Sequence, residues 1–155
     1  MIKLIDLLEN KILVPRRSKE ERSKNYLIAT QKKIQQYMKD GSKGDLDLKG
    51  TPITSLPQGL TVGGFLYLRN TPITTLPQNL KVGGYLDLQN TPITSLPQGL
   101  KVKGALYLYK SKITSLPQGL TVGGDLYLLN TPISEKYSKE QIKQMVPSVK
   151  GNIYI

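Results

Sequence analysis

A 20-residue unit repeats along this chain and constrains its fold more than any other feature. The decapeptide TPITSLPQGL occurs at residues 51–60 and again at 91–100, and close copies begin at 71 and 111. Five units begin at Asp45, Phe65, Tyr85, Ala105 and Asp125. A partial sixth unit follows at 149–155. Because one unit of this length buries its apolar face only by stacking on its neighbours, the chain is expected to form a solenoid.

The positions within each unit predict the path of one coil. Each unit begins with two leucines that alternate with variable residues, and this period of two predicts a short strand with its leucines inward. Strands that recur at one interval stack in parallel. Pro57 and its copies are expected to hold the return segment extended, and Gly63 and Gly64 to make a tight turn into the next strand. The hydroxyls of Thr51 and its copies are expected to stack inside and accept hydrogen bonds from turn amides.

The pattern L-x-L-x-x-T-x-I-x-x-L-P over residues 45–134 is similar to that of leucine-rich repeats, with Thr where the family more often has Asn. The 20-residue period and the Leu-Pro step resemble the short class found in type III-secreted bacterial effectors. The Val-Gly-Gly step departs from that class, and the chain lacks the catalytic Cys that its ubiquitin-ligase members need. Short chains of this kind also resemble small proteins carried by tailed phages. The resemblance implies a partner protein held on the open face of the sheet.

The non-repetitive segment 1–44 predicts a helical N-terminal cap. One apolar-rich helix is expected over 2–13, and a second is expected from Ser18 to near Gly41, because Ser18-Lys19-Glu20-Glu21 fits a capping box. In the second helix an apolar stripe at helical spacing is expected to cover the first coil. That stripe consists of Leu27, Ile34 and Met38, supported by Tyr37.

The segment 135–155 predicts a C-terminal cap with a partial sixth repeat. Ser138-Lys139-Glu140-Gln141 is a second capping-box sequence and predicts a short helix to about Met145, followed by a last strand over 152–155. The predicted fold class is thus an α/β solenoid of the leucine-rich repeat type with a parallel β-sheet. Its helical N-terminal cap spans 1–44, its five repeats span 45–134, and its short helix–strand C-terminal cap spans 135–155.

The amino-acid composition excludes several kinds of catalytic and metal-binding site. The chain has no cysteine and no histidine, which excludes disulfides, Cys/His zinc sites, cysteine nucleophiles and a Ser-His triad. Asp45 and Asp47 lie two residues apart on one strand face, about 7 Å, which is the spacing of an inverting glycosidase pair. We interpret them as solvated carboxylates beside the cap, since the sequence predicts no pocket there. We therefore expect a protein that is not an enzyme and that uses no cofactor and no metal.

The variable strand residues predict the binding surface. With the leucines inward, the solvent side of the sheet carries three columns, one residue of each column per coil. The first column is Asp45, Phe65, Tyr85, Ala105, Asp125, Asn152; the second is Asp47, Tyr67, Asp87, Tyr107, Tyr127, Tyr154; the third is Lys49, Arg69, Gln89, Tyr109, Leu129. The aromatic side chains either stack only on cross-strand neighbours or form a protein-binding hot spot, in which Tyr and Arg are favoured. We assign a candidate protein-binding site to Phe65, Tyr67, Arg69, Tyr85, Asp87, Tyr107, Tyr109 and Tyr127.

The net charge of +11 raises a second possible function. The excess of positive charge is greatest in residues 1–44, where a basic run predicts non-specific binding to phosphates of DNA or RNA. The candidate nucleic-acid-binding residues are Arg16, Arg17, Lys19, Arg22 and Lys24. Glu20 and Glu21 interrupt this run, and lysine is also the ordinary solubilising residue. No known nucleic-acid-recognition motif accompanies it.

Two further expectations concern location and assembly. No apolar run approaches the roughly 18 residues of a membrane span, and Asp6 and Glu9 interrupt the apolar start, so we expect neither a signal peptide nor a membrane partner. The expected location is the cytoplasm of a bacterium or of a phage-infected cell. The last strand is expected at the edge of the sheet, which predicts an edge-to-edge homodimer or, as a third possible role, a structural or virion-associated element.

Overall fold

The computed structural model describes residues 18–155. The helix predicted over 2–13 lies outside this range, as do Arg16 and Arg17 of the basic run. The described chain forms a solenoid of parallel strands with a 20-residue period, a helix at its N-terminal end and two short helices and a strand at its C-terminal end. The predicted fold class is confirmed, and the architecture is compatible with that of leucine-rich repeats.

The strands form two parallel sheets on adjacent sides of each coil. The main sheet has the order β1-β3-β5-β7-β9-β10, and the second sheet has the order β2-β4-β6-β8. Their bounds are β1 Leu46–Asp47, β2 Thr61–Val62, β3 Leu66–Tyr67, β4 Lys81–Val82, β5 Leu86–Asp87, β6 Lys101–Val102, β7 Leu106–Tyr107, β8 Thr121–Val122, β9 Leu126–Tyr127 and β10 Ile153–Tyr154. Sequence analysis predicted only the main sheet. The second one forms because the Thr-Val or Lys-Val step of each coil is also extended and pairs with its own copies.

Every strand pairs in register with its copy in the next coil, which is 20 residues away for all strands except β10. Leu46 pairs with Leu66, Leu66 with Leu86, and Leu126 with Ile153 of the partial sixth repeat. The inward leucines of the main sheet are at most 1% exposed, and the isoleucines and valines of the other sides are also buried. The predicted core is confirmed. Because each apolar side chain lies on its counterpart, the core is one continuous column of aliphatic side chains.

The tight turns depend on residues other than the predicted glycine pair. Two positions per coil have a left-handed backbone, which L-residues other than Asn and Asp rarely adopt. The first is Gly50, Asn70, Asn90, Lys110 and Asn130, and the second is Gly59, Asn79, Gly99 and Gly119. Gly63 and Gly64 have no positive φ. A Cβ on Gly83 or Gly84 would overlap the preceding coil, so these glycines permit close stacking of backbones instead of a turn. The second glycine of the pair recurs as Gly104 and Gly124, whereas Lys103 occupies the first position before β7.

The threonine column also differs from expectation. The hydroxyls of Thr51, Thr71 and Thr91 donate to the carbonyl oxygen three residues earlier, at 2.7 Å in each case, instead of accepting from turn amides. At Ser111 the buried Oγ has no hydrogen-bond partner among the described residues. The hydroxyls of this column therefore satisfy the carbonyl group at the end of each strand. The backbone N–H groups of Thr51 and Thr71 donate to the same carbonyl oxygens, which places each hydroxyl beside its acceptor.

Helix α1, Lys19–Lys39, covers the first coil as predicted. The Ser18 hydroxyl accepts from the Glu21 N–H at 3.1 Å, and the Glu21 carboxylate accepts from the Ser18 N–H at 3.0 Å, which confirms the capping box. Ile34 is buried, and Tyr37 and Met38 pack against the core. The Tyr37 hydroxyl also accepts from the Gly63 N–H at 3.2 Å, which fixes the helix to the first turn of the solenoid.

Two short helices close the other end. Helix α3, Lys139–Met145, begins at the predicted capping box and buries Ile142. Helix α2, Pro132–Lys136, was not predicted, because residues 131–134 were assigned to the fifth repeat. Thr131 caps this helix together with Ser134, and no Leu-Pro step follows to keep the chain extended. The helices and β10 together cover the last coil.

The left-handed positions generate a stability prediction. Gly99 has φ +65° and open space around its Cβ position, so Gly99→Ala is expected to lower the free energy of unfolding by about 1 kcal/mol through backbone strain alone. Gly99→Asn is expected to lower the free energy of unfolding by less than Gly99→Ala does, because Asn79 occupies the same position of its coil at φ +62°. Urea unfolding measures both variants. Equal losses for Ala and Asn would contradict backbone strain as the cause.

Candidate functional site

The in-register pairing of the main sheet brings its outward side chains into contact across the coils. Six aromatic side chains on five strands form one continuous surface, which we call the aromatic strip. It consists of Phe65, Tyr67, Tyr85, Tyr107, Tyr127 and Tyr154. The first five are half-buried and Tyr154 is 39% exposed.

The N-terminal half of the strip is a mixed stack. The rings of Phe65 and Tyr85 are nearly parallel, with their centroids 3.8 Å apart. Tyr67 meets both rings edge-on, and its hydroxyl lies 2.8 Å from that of Tyr85. These contacts join two columns of the sheet, since Tyr67 belongs to the second column and the other two belong to the first.

The C-terminal half is a regular stack. The rings of Tyr107, Tyr127 and Tyr154 are 4.7 Å apart and inclined by 6° to one another. This separation equals the spacing of hydrogen-bonded strands, so the register alone is enough to stack the rings. Tyr85 meets Tyr107 edge-on at 5.7 Å and joins the two halves.

The stacking decides what the strip presents to a partner. Tyr127 has both ring faces covered by neighbouring rings, and Tyr107 has one face covered. The outward parts are therefore ring edges and hydroxyl groups. Such a surface is poorly suited to stacking on nucleic-acid bases, which needs free ring faces. It suits the mixed apolar and hydrogen-bonding contacts that tyrosines make in protein interfaces.

Asp87 lies beneath the middle of the strip. It occupies the second column between Tyr67 and Tyr107, and Tyr85 bridges the rings on either side of it. The Asp87 side chain is only 6% exposed and accepts from the Gln89 N–H at 3.0 Å. Burial raises the pKa of Asp87, although this hydrogen bond and the positive charge of Arg69 act against the increase. Asp87, which the sequence predicts as a protein-binding residue, therefore presents little of its surface beside the strip.

Asp47, the counterpart of Asp87 in the first coil, has the opposite behaviour. Burial pushes its pKa upward, but the hydrogen bonds and the charge of Lys49 outweigh burial and lower the pKa of Asp47. The Lys49 ammonium lies 3.1 Å from the Asp47 carboxylate, and both side chains are well exposed. The difference arises because no aromatic side chain precedes Asp47 in its column, whereas rings flank Asp87 on both sides.

Three tyrosine hydroxyls of the strip have a raised pKa. The hydrogen bond shared with Tyr85, together with burial and the carboxylates of Asp45 and Asp47, raises the pKa of Tyr67 to about 12. Burial also raises the pKa of Tyr107 and of Tyr127.

The first-column aspartates have structural contacts. The Asp45 carboxylate accepts from the Phe65 N–H at 2.8 Å, and that of Asp125 accepts from the Asn152 N–H at 2.7 Å. Each caps an amide at the start of the next strand. Asp125 also accepts from the Tyr127 hydroxyl at 3.2 Å, which fixes this ring in the strip.

The other predicted protein-binding residues flank the strip. Arg69 is exposed, and Tyr109 is half-buried with the Lys110 ammonium 5.1 Å from its ring centre. Both belong to the third column, and Tyr109 makes no ring contact with the strip. The prediction omitted Tyr154, although the sequence places it in the second column. The signal that could have included it was the partial sixth repeat.

The predicted nucleic-acid-binding residues do not form one patch within residues 18–155. Lys19 and Arg22 lie one turn apart on the same side of α1. Lys24 lies two residues after Arg22, roughly 200° round the helix, and therefore on the opposite side. A different basic group is closer together: Lys81 and Lys101 are paired neighbours in the second sheet and line a shallow groove of about 280 Å³ with Lys103.

The chain gives no match with protein-family models, with curated proteins or with solved structures. In the described part of the chain no helix is long and apolar enough to cross a membrane. Between residues 18 and 155 no three His, Cys, Asp or Glu side chains lie close enough together to hold a metal ion.

The two aspartates give a prediction on pH dependence. The pKa of Asp87 is higher in the folded state than in the unfolded chain. Ionisation of Asp87 therefore lowers the free energy of unfolding once the pH rises above the pKa of Asp87 in the unfolded chain. Asp87→Asn is therefore expected to raise the melting temperature at neutral pH, and this gain disappears in acid, where Asp87 is protonated.

The matched variant Asp47→Asn is expected to have the opposite sign. Because the folded state lowers the pKa of Asp47, its stabilising effect is present at neutral pH and is lost as pH falls through the folded pKa. Thermal unfolding of both variants from about pH 3 to pH 7 measures the two differences from the parent chain. Parallel pH profiles for the two variants would show that the strip does not desolvate Asp87.

Proposed function

We propose that this chain is a leucine-rich repeat protein of the short bacterial type, encoded by a bacterium or a phage. We further propose that its aromatic strip binds another protein in the cytoplasm. The observation that carries the proposal is the arrangement of the strip: stacked rings with edges and hydroxyls outward. Such a module acts without catalysis. It inhibits, recruits or assembles its partner by occupying the partner's surface.

The strip has the composition and order of a binding hot spot. Tyr and Arg are the residues that most often dominate the energy of protein interfaces. Here tyrosines lie at the centre, and the exposed charges of Arg69, Lys49 and Asp47 lie beside them, which gives an apolar centre with a polar rim. Because neighbouring rings already hold each side chain in place, binding loses little side-chain entropy.

A capture experiment with matched variants tests this function. The tagged chain is incubated with nuclease-treated host lysate and washed at moderate salt, and bound proteins are identified by mass spectrometry. Tyr67→Ala with Tyr107→Ala is expected to weaken binding of the retained partner by at least about 30-fold, because the loss of a single hot-spot ring already has that effect. Tyr26→Ala is the control, since Tyr26 is 50% exposed on α1 and lies outside the strip.

Circular dichroism is measured on each variant to establish that the solenoid is retained. A partner that binds the folded double variant as well as the parent chain would contradict the strip as the binding site. If Tyr26→Ala weakens binding of the partner as much as the double variant does, the contact lies on α1 instead.

The second candidate function, binding of nucleic-acid phosphates, is favoured by the lysines of the second sheet. Lys81 and Lys101 lie directly opposite each other on β4 and β6, with Lys103 beside them. None of the three forms an ion pair with a carboxylate in the region from 18 to 155, where the ion pair found is Lys49–Asp47. Like charges on directly opposite residues of neighbouring strands repel each other, and a bound polyanion would relieve this repulsion.

Salt dependence tests the second function. If the lysines bind phosphates, log affinity for DNA falls linearly with log salt, and Lys81→Glu with Lys101→Glu reduces the slope by about 2. Arg16→Glu with Arg17→Glu tests the basic run predicted from the sequence in the same assay. An affinity that does not change between about 50 and 200 mM salt would contradict phosphate binding.

A further inference from the structure

The outer side of the second sheet carries lysine at every charged position. Each buried valine of this sheet lies between two outward residues, and the register stacks these residues into two columns. The lysine–threonine column before the valines is Thr61, Lys81, Lys101, Thr121, and the lysine–glycine column after them is Gly63, Gly83, Lys103, Gly123. The neutral positions hold only threonine or glycine, so small side chains surround each lysine.

Two further lysines extend the lysine–glycine column at its ends. The Cα of Lys43 lies 3.5 Å from the position of a Cβ on Gly63, so Lys43 precedes Gly63 in the column. The Lys150 N–H donates to the Val122 carbonyl at 2.9 Å, as the Gly123 N–H donates to a valine one coil earlier. Lys43 and Lys150 are thus five coil spacings apart, which is about 24 Å. We define the lysine face as Lys43, Lys81, Lys101, Lys103 and Lys150.

No carboxylate of residues 18–155 neutralises the lysine face. Its five lysines are exposed, and none of them forms an ion pair within that range. Three aspartates lie within three residues of the lysine–glycine column along the chain. Asp45 and Asp125 accept from amides of the main sheet, and Asp40 accepts from Gln36 on α1. The lysine face therefore carries five positive charges that repel one another, and an anion on this face relieves the repulsion.

Glycines give the lysine face a narrow floor. Gly63 and Gly83 line a groove of about 280 Å³, with Lys81, Lys101 and Lys103 around it. A narrow chain can therefore approach the backbone between the ammonium groups, because no side chain of the floor stands in its way. The N–H of Gly83 already donates to the preceding coil, so the lysine side chains supply the contacts to such a chain.

We propose that the lysine face binds a linear chain of phosphate groups that runs along the solenoid axis. The inference rests on the second proposed function and names its ligand, a single-stranded nucleic acid or an inorganic polyphosphate. Successive phosphates lie on the glycine floor, and the five ammonium groups neutralise them along the face. The stacked rings of the aromatic strip leave no free ring face for bases, so the phosphates alone are bound.

A nucleic-acid duplex fits the lysine face less well than a single chain does. The five lysines lie on one side of the solenoid, over a length of about 24 Å. A B-form duplex of that length has about 7 base pairs, which is roughly two-thirds of a helical turn. A strand that meets Lys43 has therefore wound away from the face before it reaches Lys150. A flexible single chain can follow all five lysines, whereas a duplex meets only some of them.

Fluorescence anisotropy with a labelled oligothymidylate of about 12 nucleotides tests the lysine face. Five phosphate contacts predict that log affinity falls with log salt with a slope of about −3.5. Lys43→Gln with Lys150→Gln removes both ends of the face and is expected to reduce the slope by about 1.4. The control, Lys32→Gln with Lys139→Gln, removes the same charge from exposed positions on α1 and α3 and is expected to leave the slope unchanged. Equal changes for the two pairs, or no change for either, overturn the proposal.

Two further ligands in the same assay distinguish the sources of the phosphate chain and test its form. Inorganic polyphosphate with the same number of phosphates is expected to displace the oligonucleotide, and the ligand with the lower Kd identifies the source. A duplex of the same length is expected to bind more weakly and with a smaller salt slope. Failure of polyphosphate to displace the oligonucleotide overturns phosphate recognition, and a duplex that binds as tightly as the single strand overturns the axial arrangement.

The lysine face and the second proposed function fail separately. If Arg16→Glu with Arg17→Glu abolishes binding of the oligonucleotide while Lys81→Glu with Lys101→Glu leaves it unchanged, the chain binds nucleic acid but not through the lysine face. If the parent chain binds neither ligand at about 50 mM salt, both the function and the inference are wrong.

Discussion

Hydrogen bonds between parallel strands hold neighbouring coils roughly 4.8 Å apart, and the other features of the structure depend on that spacing. Each inward leucine lies on the leucine of the next coil, so the aliphatic core is continuous. Gly64 and its copies have no side chain because the backbones of successive coils approach too closely there for a Cβ. The rings of Tyr107, Tyr127 and Tyr154 stack at 4.7 Å because the same spacing separates their strands. The register thus organises both the core and the surface.

A stack of identical coils leaves two ends that differ from its middle. At the N-terminal end α1 covers the core, and Lys33 satisfies an outward carbonyl. At the C-terminal end α2 and α3 cover the core, but β10 ends the sheet with its outer backbone groups unpaired in the described chain. The two ends of the main sheet therefore differ in which outward backbone groups the chain's own side chains satisfy.

Identical positions in different coils acquire different chemistry from their neighbours. Asp47 and Asp87 occupy the same place in the unit, yet the pKa of one is lowered and that of the other is raised. Lys49 and solvent surround the first, and aromatic rings flank the second. The framework residues set where a side chain lies, and the variable residues of the adjacent coils set its environment. For this reason the aromatic strip is a property of several coils together and of none alone.

The sequence by itself determined the solenoid, the parallel main sheet, the buried leucines and both capping boxes that begin α1 and α3, because these follow from periodicity and local hydrogen bonds. It also placed the aromatic residues on one face. Only the tertiary structure decided that the second sheet forms, that Gly83 and Gly84 stack closely on the preceding coil, and that Asp87 is buried. Those outcomes depend on contacts between residues 20 or more positions apart, where backbone approach and ring stacking act, and the pattern within one repeat carries no record of either.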